Sequence, residues 1–139
     1  MRYLLDTCVL SELIKSKPEP NVINWISSQR ESDLFISVLT VGELLKGISK
    51  LPDSKKKNRL KQWLENDLLR RFGGRILKID TKTTSMWGKL IGEKEKIGIK
   101  IPVIDGLLAT TALSNDLVLV TRNTKDFQAT ECELLNPWE

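Results

Sequence analysis

Residues 117–120 read Leu-Val-Leu-Val, an apolar run with no polar alternation. A strand with one wet face alternates. A strand apolar at every position is buried on both faces, as in a parallel sheet covered by helices. The rest of the chain supplies such partners. Residues 3–5 and 34–38 are short apolar runs, and each leads directly into helical spacing. After the first come Val9, Leu10, Leu13 and Ile14 on one face; after the second, residues 40–48 read as a helix stopping near Gly47. Residues 76–79 and 133–135 complete the strand set. Residues 21–29, 54–72, 81–97 and 101–113 read as further helices, the second with Leu60, Trp63, Leu64, Leu68 and Phe72 on one stripe and Gly73 and Gly74 at its end. Strands alternating with helices at this spacing predict the α/β class, an α/β/α sandwich around a central parallel sheet, as one domain over residues 1–139.

A chain of 139 residues is long enough to bury a core without staples. It contains no histidine, which removes Ser-His-Asp and Cys-His triads, imidazole acid-base catalysis and His-ligated zinc together. Cys8 and Cys132, the only cysteines, are too few for a thiolate zinc site and read as small core residues. Charged and polar residues from Asp6 onward interrupt any signal-peptide core, and no apolar run reaches the ~18 residues of a membrane span, so a cytoplasmic protein is expected. The net charge of +4 and pI near 9.1 lean modestly toward polyanionic partners.

The residues left for chemistry are carboxylates, and each has an ordinary structural explanation. Asp6, between a strand and a helix, is a good N-cap. Thr40 and Glu43 have the spacing of a capping box. Asp105 lies in the first turns of a helix, where the dipole favours negative charge. Asn123 and Asp126 suit a turn. Taken together, however, they place acidic groups just beyond strands 3–5, 34–38 and 117–120, with Asp105 beside them, and the carboxyl ends of those strands share one edge of a parallel sheet, the edge at which ligands bind. Carboxylates gathered there repel one another unless a cation is present or a pKa is raised. With oxygen donors only, Mg²⁺ or Mn²⁺ is the expected ion, and phosphodiester hydrolysis is the natural reaction, with one ion or two.

Four blocks, LLDTCVLSEL, SVLTVGELLKGI, PVIDGLLATTAL and LVTRNTKDF, occur in this order over nearly the whole chain. They resemble the PIN-domain nucleases, especially the VapC and FitB-like toxins of type II toxin-antitoxin modules. FGGRIL followed by Asp80, and the terminal Asn136, Pro137 and Trp138, resemble the FitB subgroup. The resemblance implies a Mg²⁺-dependent endoribonuclease whose metal-binding acids match Asp6, Glu43 and Asp105, with Mn²⁺ able to substitute. The family block that often reads TRD carries Asn123 here, so the resemblance implies Asn123 near the metal as a catalytic position, Asp126 in a supporting or alternative role, and Thr121 as a hydroxyl bonding within the site. Cys8 stands where the family often has Asn.

The same resemblance implies a homodimer held inactive by a separate antitoxin protein that inserts a segment toward the acidic site. Arg122, Lys55, Lys56 and Lys57, with Arg70 and Arg71, are candidates for contacting phosphates of the RNA substrate, although a lysine-rich run also reads as a solvated helix face. Two other readings compete. An aspartyl phosphatase of the haloacid-dehalogenase type also begins with a strand and an Asp, but needs a second Asp where Cys8 stands. A degenerate PIN fold that binds RNA or a protein without cutting is motivated by the missing charge at Asn123.

Overall fold

Five short strands, all paired in parallel, form one sheet: β1 (Tyr3–Leu5), β2 (Leu34–Ser37), β3 (Ile76–Leu77), β4 (Val118–Val120) and β5 (Leu134–Leu135). Their spatial order is β3-β2-β1-β4-β5 in a computed structural model that describes all 139 residues. The chain therefore moves outward from β1 in one direction, then crosses back to lay β4 on the other side of it. Such a reversal leaves a crevice beyond the carboxyl ends of the two central strands, here β1 and β4.

Helices cover both faces: α1 (Thr7–Glu12), α2 (Pro20–Ser28), α3 (Val38–Ser49), α4 (Lys55–Gln62), α5 (Leu69–Arg71), α6 (Thr81–Lys96), α7 (Val103–Ser114) and α8 (Thr124–Phe127). Because successive strand side chains point to opposite faces, each strand feeds two cores. Leu5, Leu34, Ile36 and Val120 pack with Val9, Leu44, Leu68 and Phe72 on one side. Leu4 and Leu119 pack with Leu108, Ala109, Ala112 and Phe127 on the other. This two-sided burial is why residues 117–120 carry no polar alternation. At roughly 1.5–3 kcal/mol for each large apolar side chain buried, the central strands hold the layers together despite being only three or four residues long.

The architecture is the α/β/α sandwich expected, with local differences. The helix after β2 begins earlier than residue 40 and runs through Gly47. Ser37 is its N-cap, its hydroxyl accepting from the Leu39 N–H at 3.1 Å. Thr40 is thus inside the helix, fully buried and without a hydrogen-bond partner for its hydroxyl, so the Thr40–Glu43 capping box does not form. The long helix over residues 54–72 starts as foreseen, capped by Ser54. Between α4 and α5, however, Trp63–Leu68 is π-helical. Leu64, Leu68 and Phe72 are all buried in the core. No helix is long and apolar enough to cross a membrane.

Candidate active site

The register of the sheet builds the site. Leu5 lies opposite Val120 across the β1–β4 ladder, so the next residues, Asp6 and Thr121, emerge side by side. The Thr121 hydroxyl donates to Asp6 Oδ2 at 2.8 Å, and the Thr7 N–H donates to Asp6 Oδ1 at 2.8 Å. Thr121 Oγ1 also accepts from the Asn123 N–H at 3.0 Å, shaping the turn that follows β4. Asp6 is therefore the N-cap of α1, as its ordinary explanation required, and also a carboxylate 8% exposed at the crevice. Burial pushes its pKa above the usual range, while the bonds from Thr121, Thr7 and Cys8 work against that and the Asp126 charge adds to it. The Cys8 thiol lies 3.8 Å from Asp6 Oδ2 and 3.7 Å from Thr121 Oγ1. Its own pKa is raised by burial and then by the Asp6 charge, which keeps it a protonated, weak donor.

Glu43 comes to this edge on α3, in the second turn beyond the end of β2. The Thr7 hydroxyl donates to Glu43 Oε1 at 2.8 Å, so Thr7 touches both carboxylates, one through its backbone and one through its side chain. Asp105 stands in the first turn of α7. Its carboxyl is held above the ordinary range by burial first, and then by the nearby charges of Asp126, Asp6 and Glu43. Asp105 thus senses every other acid of the group. Asp126, in the first turn of α8, is exposed, as is Asn123. The Asn123 backbone bonds to Thr121, whereas Asp126 is the residue through which this turn brings negative charge to Asp6 and Asp105.

Can this group take a cation? Its donors are all oxygens, negatively charged and mutually repelling, which is the chemistry a hard divalent ion neutralises. No three Asp, Glu or Cys side chains stand close enough to grip one ion as they are placed. The fit therefore rests on donor chemistry rather than coordination geometry, with Asp6, Glu43 and Asp105 as the residues that would hold it.

The basic residues are dispersed. Lys57 turns back to Asp53 Oδ1 and the Ser49 carbonyl, each at 3.4 Å, and Lys55 is exposed at the start of α4. Lys56 lines a cleft with Lys17 and Arg59. Arg122 is exposed, its guanidinium 5.4 Å above the Trp138 ring. Arg71 is engaged with Glu31 through two bonds of 2.8 and 2.9 Å, joined by Arg75 at 3.0 Å. That ion pair anchors α5 to the segment before β2 and removes Arg71 from the phosphate-contacting candidates.

Sequence reading passed over Thr7 and Glu12. Glu12 is 3% exposed on α1 and accepts from Lys15 Nζ at 2.8 Å and the Glu19 N–H at 3.0 Å. Lys15 first, then that N–H, hold its carboxyl below the usual range. It braces the loop between α1 and α2. The i, i+3 spacing of Glu12 and Lys15 was the available signal; the contact to Glu19 has none.

The PIN domain family model matches residues 3–131. The chain is 36% identical to Toxin FitB of Neisseria gonorrhoeae over 135 residues, 97% of each chain. It is 34% identical to VapC ribonuclease Y4jK of Sinorhizobium fredii over 136 residues, covering 98% of this chain and 97% of the relative. The crystal structure of FitAcB from Neisseria gonorrhoeae superposes with a TM-score of 0.92 at 36% identity over 99% of both chains.

Proposed function

From the membership of this chain in the PIN-domain family, in its VapC and FitB toxin branch, we propose that it is a Mg²⁺-dependent endoribonuclease, with Mn²⁺ able to substitute, acting as the toxin of a type II toxin-antitoxin pair. The observation that carries this reading is the convergence of the acids at one sheet edge, where Thr7 bonds to both Asp6 and Glu43 and Thr121 bonds to Asp6 across the β1–β4 register, with burial first and then the charges of Asp126, Asp6 and Glu43 raising the Asp105 pKa. Four acids from distant parts of the sequence share one electrostatic field at the crevice beside β1 and β4.

Asp6, Glu43 and Asp105 would hold the ion, which would supply an acidified water and neutralise charge on the phosphodiester. Thr121 and Thr7 fix the carboxylate orientations, so that donor oxygens are aimed before substrate arrives. Burial of Asp6 excludes water from its back and strengthens its field. Asp126 supplies the fourth charge and Asn123 shapes the turn that presents it. The relative named as a ribonuclease supports RNA as substrate, and the relative named as a toxin supports a separate antitoxin as partner. A homodimer in the cytoplasm completes the reading. The second reading, a PIN fold that binds without cutting, is favoured by Asn123 standing where the family often carries a charge; Asp126 close by weakens it.

Purified, antitoxin-free protein incubated with total RNA is the test. Discrete products with Mg²⁺ or Mn²⁺, none with EDTA, and a loss of at least ~100-fold in Asp6→Ala and Asp105→Asn are expected, since each removes an ion-holding charge. Cleavage by Asp6→Ala at the parental rate would sink the site assignment. No cleavage together with no metal-induced rise in melting temperature would favour the binding module, whereas a clear rise without cleavage would mean that the RNA pool lacked the target.

A further inference from the structure

Beside the acidic crevice lies a cleft of about 670 Å³ between the loop after α1 and the exposed face of α4. Its rim carries Lys17, Lys56 and Arg59, and Ile14, Leu60 and Trp63 form its apolar wall. None of the three cations takes part in an ion pair, whereas Lys15 beside them is held by Glu12 and Lys57 by Asp53. Lys17, Lys56 and Arg59 are exposed around the half-buried Trp63, so the cleft offers an accessible aromatic face rimmed by three uncommitted positive charges. A second hollow of about 240 Å³ holds Thr7 and Glu43 and shares Ile14, Leu60 and Trp63 with the first. The acidic site and the basic cleft are thus two ends of one depression, with Trp63 between them. Trp63 is also the first residue of the π-helical stretch, a departure from regular helix that clusters at functional sites.

We propose that this cleft is the subsite for single-stranded RNA flanking the scissile phosphate, with one unstacked base against Trp63 and backbone phosphates on Lys17, Lys56 and Arg59. The inference rests on the ribonuclease reading above. A cation-rimmed groove with an aromatic wall takes single strands because every base has a π-face, whereas a paired base cannot leave its stack to reach the ring. An ordinary solvated lysine face has neither the wall nor the continuity with Glu43.

The full chain is titrated in EDTA against a fluorescein-labelled, mixed-sequence single-stranded RNA 12-mer, its integrity checked on gels, and against the same sequence as a duplex. The parent is expected to bind the single strand at least ten-fold more tightly than the duplex. Lys56→Ala/Arg59→Ala weakens binding at least ten-fold and makes the salt slope of log K shallower by about 1.4, roughly 0.7 for each phosphate no longer neutralised. Trp63→Leu, which keeps an apolar wall, weakens binding about ten-fold, and Trp63→Phe restores most of it. The surface double variant needs no core residue to refold, so it remains decisive if Trp63→Leu is unstable. Parental affinity and salt slope in the double variant would overturn the subsite, as would no single-strand binding by the parent. So would loss of antitoxin binding with RNA affinity unchanged, which would make the cleft a protein-docking surface. Cleavage of total RNA is scored separately: binding in the cleft with no cleavage under any metal would defeat the nuclease reading and leave the subsite standing.

Discussion

Thr121 illustrates how little at this site is set by any residue alone. Its hydroxyl donates to Asp6 and accepts from the Asn123 N–H, so one buried oxygen orients a carboxylate and a turn. Thr121→Val keeps the shape and deletes both bonds. We expect cleavage to fall ~10–100-fold, as when the partners of metal ligands are removed, and stability by ~1–3 kcal/mol, read from single-turnover rates and denaturant melts. For Asp105 the expected change in stability has the opposite sign. Its folded pKa lies above the ordinary value of 3.8, so the folded chain holds that proton more tightly than the unfolded chain. The resulting stabilisation is full below the ordinary value and is lost as pH rises through the raised one. In EDTA at pH 8, Asp105→Asn should therefore melt above the parent by a few degrees, and the gap should close as pH is lowered; a gap independent of pH would show that the Asp105 pKa is not raised. At this scale the sequence marked Asp6 and Glu43 because they follow strand ends, and Asp105 because it opens a helix beside them. It misjudged what holds Glu43. The capping-box spacing with Thr40 is local, but the hydroxyl that reaches Glu43 belongs to Thr7, 36 residues away.

Helices position these residues, and their packing limits are equally specific. Gly106, next to Asp105, lies against α6: a Cβ there would meet Trp87 Nε1 at 3.0 Å and Ile91 Cδ1 at 3.1 Å. Alanine favours helix over glycine by about 1 kcal/mol, but overpacking costs about 1–3 kcal/mol, so crowding outweighs propensity. Gly106→Ala should lose ~1 kcal/mol in chemical denaturation and lower cleavage, because α7 must back away from α6 and carry Asp105 with it. A gain in stability with unchanged rate would mean that Trp87 simply swings aside. Helix existence was readable from apolar spacing, as over residues 54–72 and 81–97. Two features were not. The start of α3 depends on where β2 stops pairing, which placed Ser37 rather than Thr40 at the cap. The π-helical turn at Trp63–Leu68 leaves no mark in the sequence, because an unbroken α-helix would also place Leu64, Leu68 and Phe72 on one face.

The whole molecule adds the strand order. Reversal of direction between β1 and β4 brings residues 6 and 121 into contact and opens the crevice there. If the acids hold an ion in the folded chain only, Mg²⁺ or Mn²⁺ should raise the melting temperature saturably, by the equivalent of about 2.7 kcal/mol at 100 times the Kd. NaCl at matched ionic strength should not reproduce the rise, and Asp6→Ala should abolish it; calorimetry in each salt checks both. Equal shifts with NaCl would reduce the effect to charge screening. The amino-acid sequence alone determined the α/β class, the absence of imidazole chemistry, the apolar strands buried on both faces and the family blocks, because each depends on residue type and short-range spacing. Tertiary structure alone decided that Thr7 and Thr121 brace the carboxylates, that Asp126 brings charge to Asp6 and Asp105, and that three unpaired cations surround Trp63. Those facts depend on strand order, register and side-chain direction, which are set by how the layers pack rather than by any local run of residues.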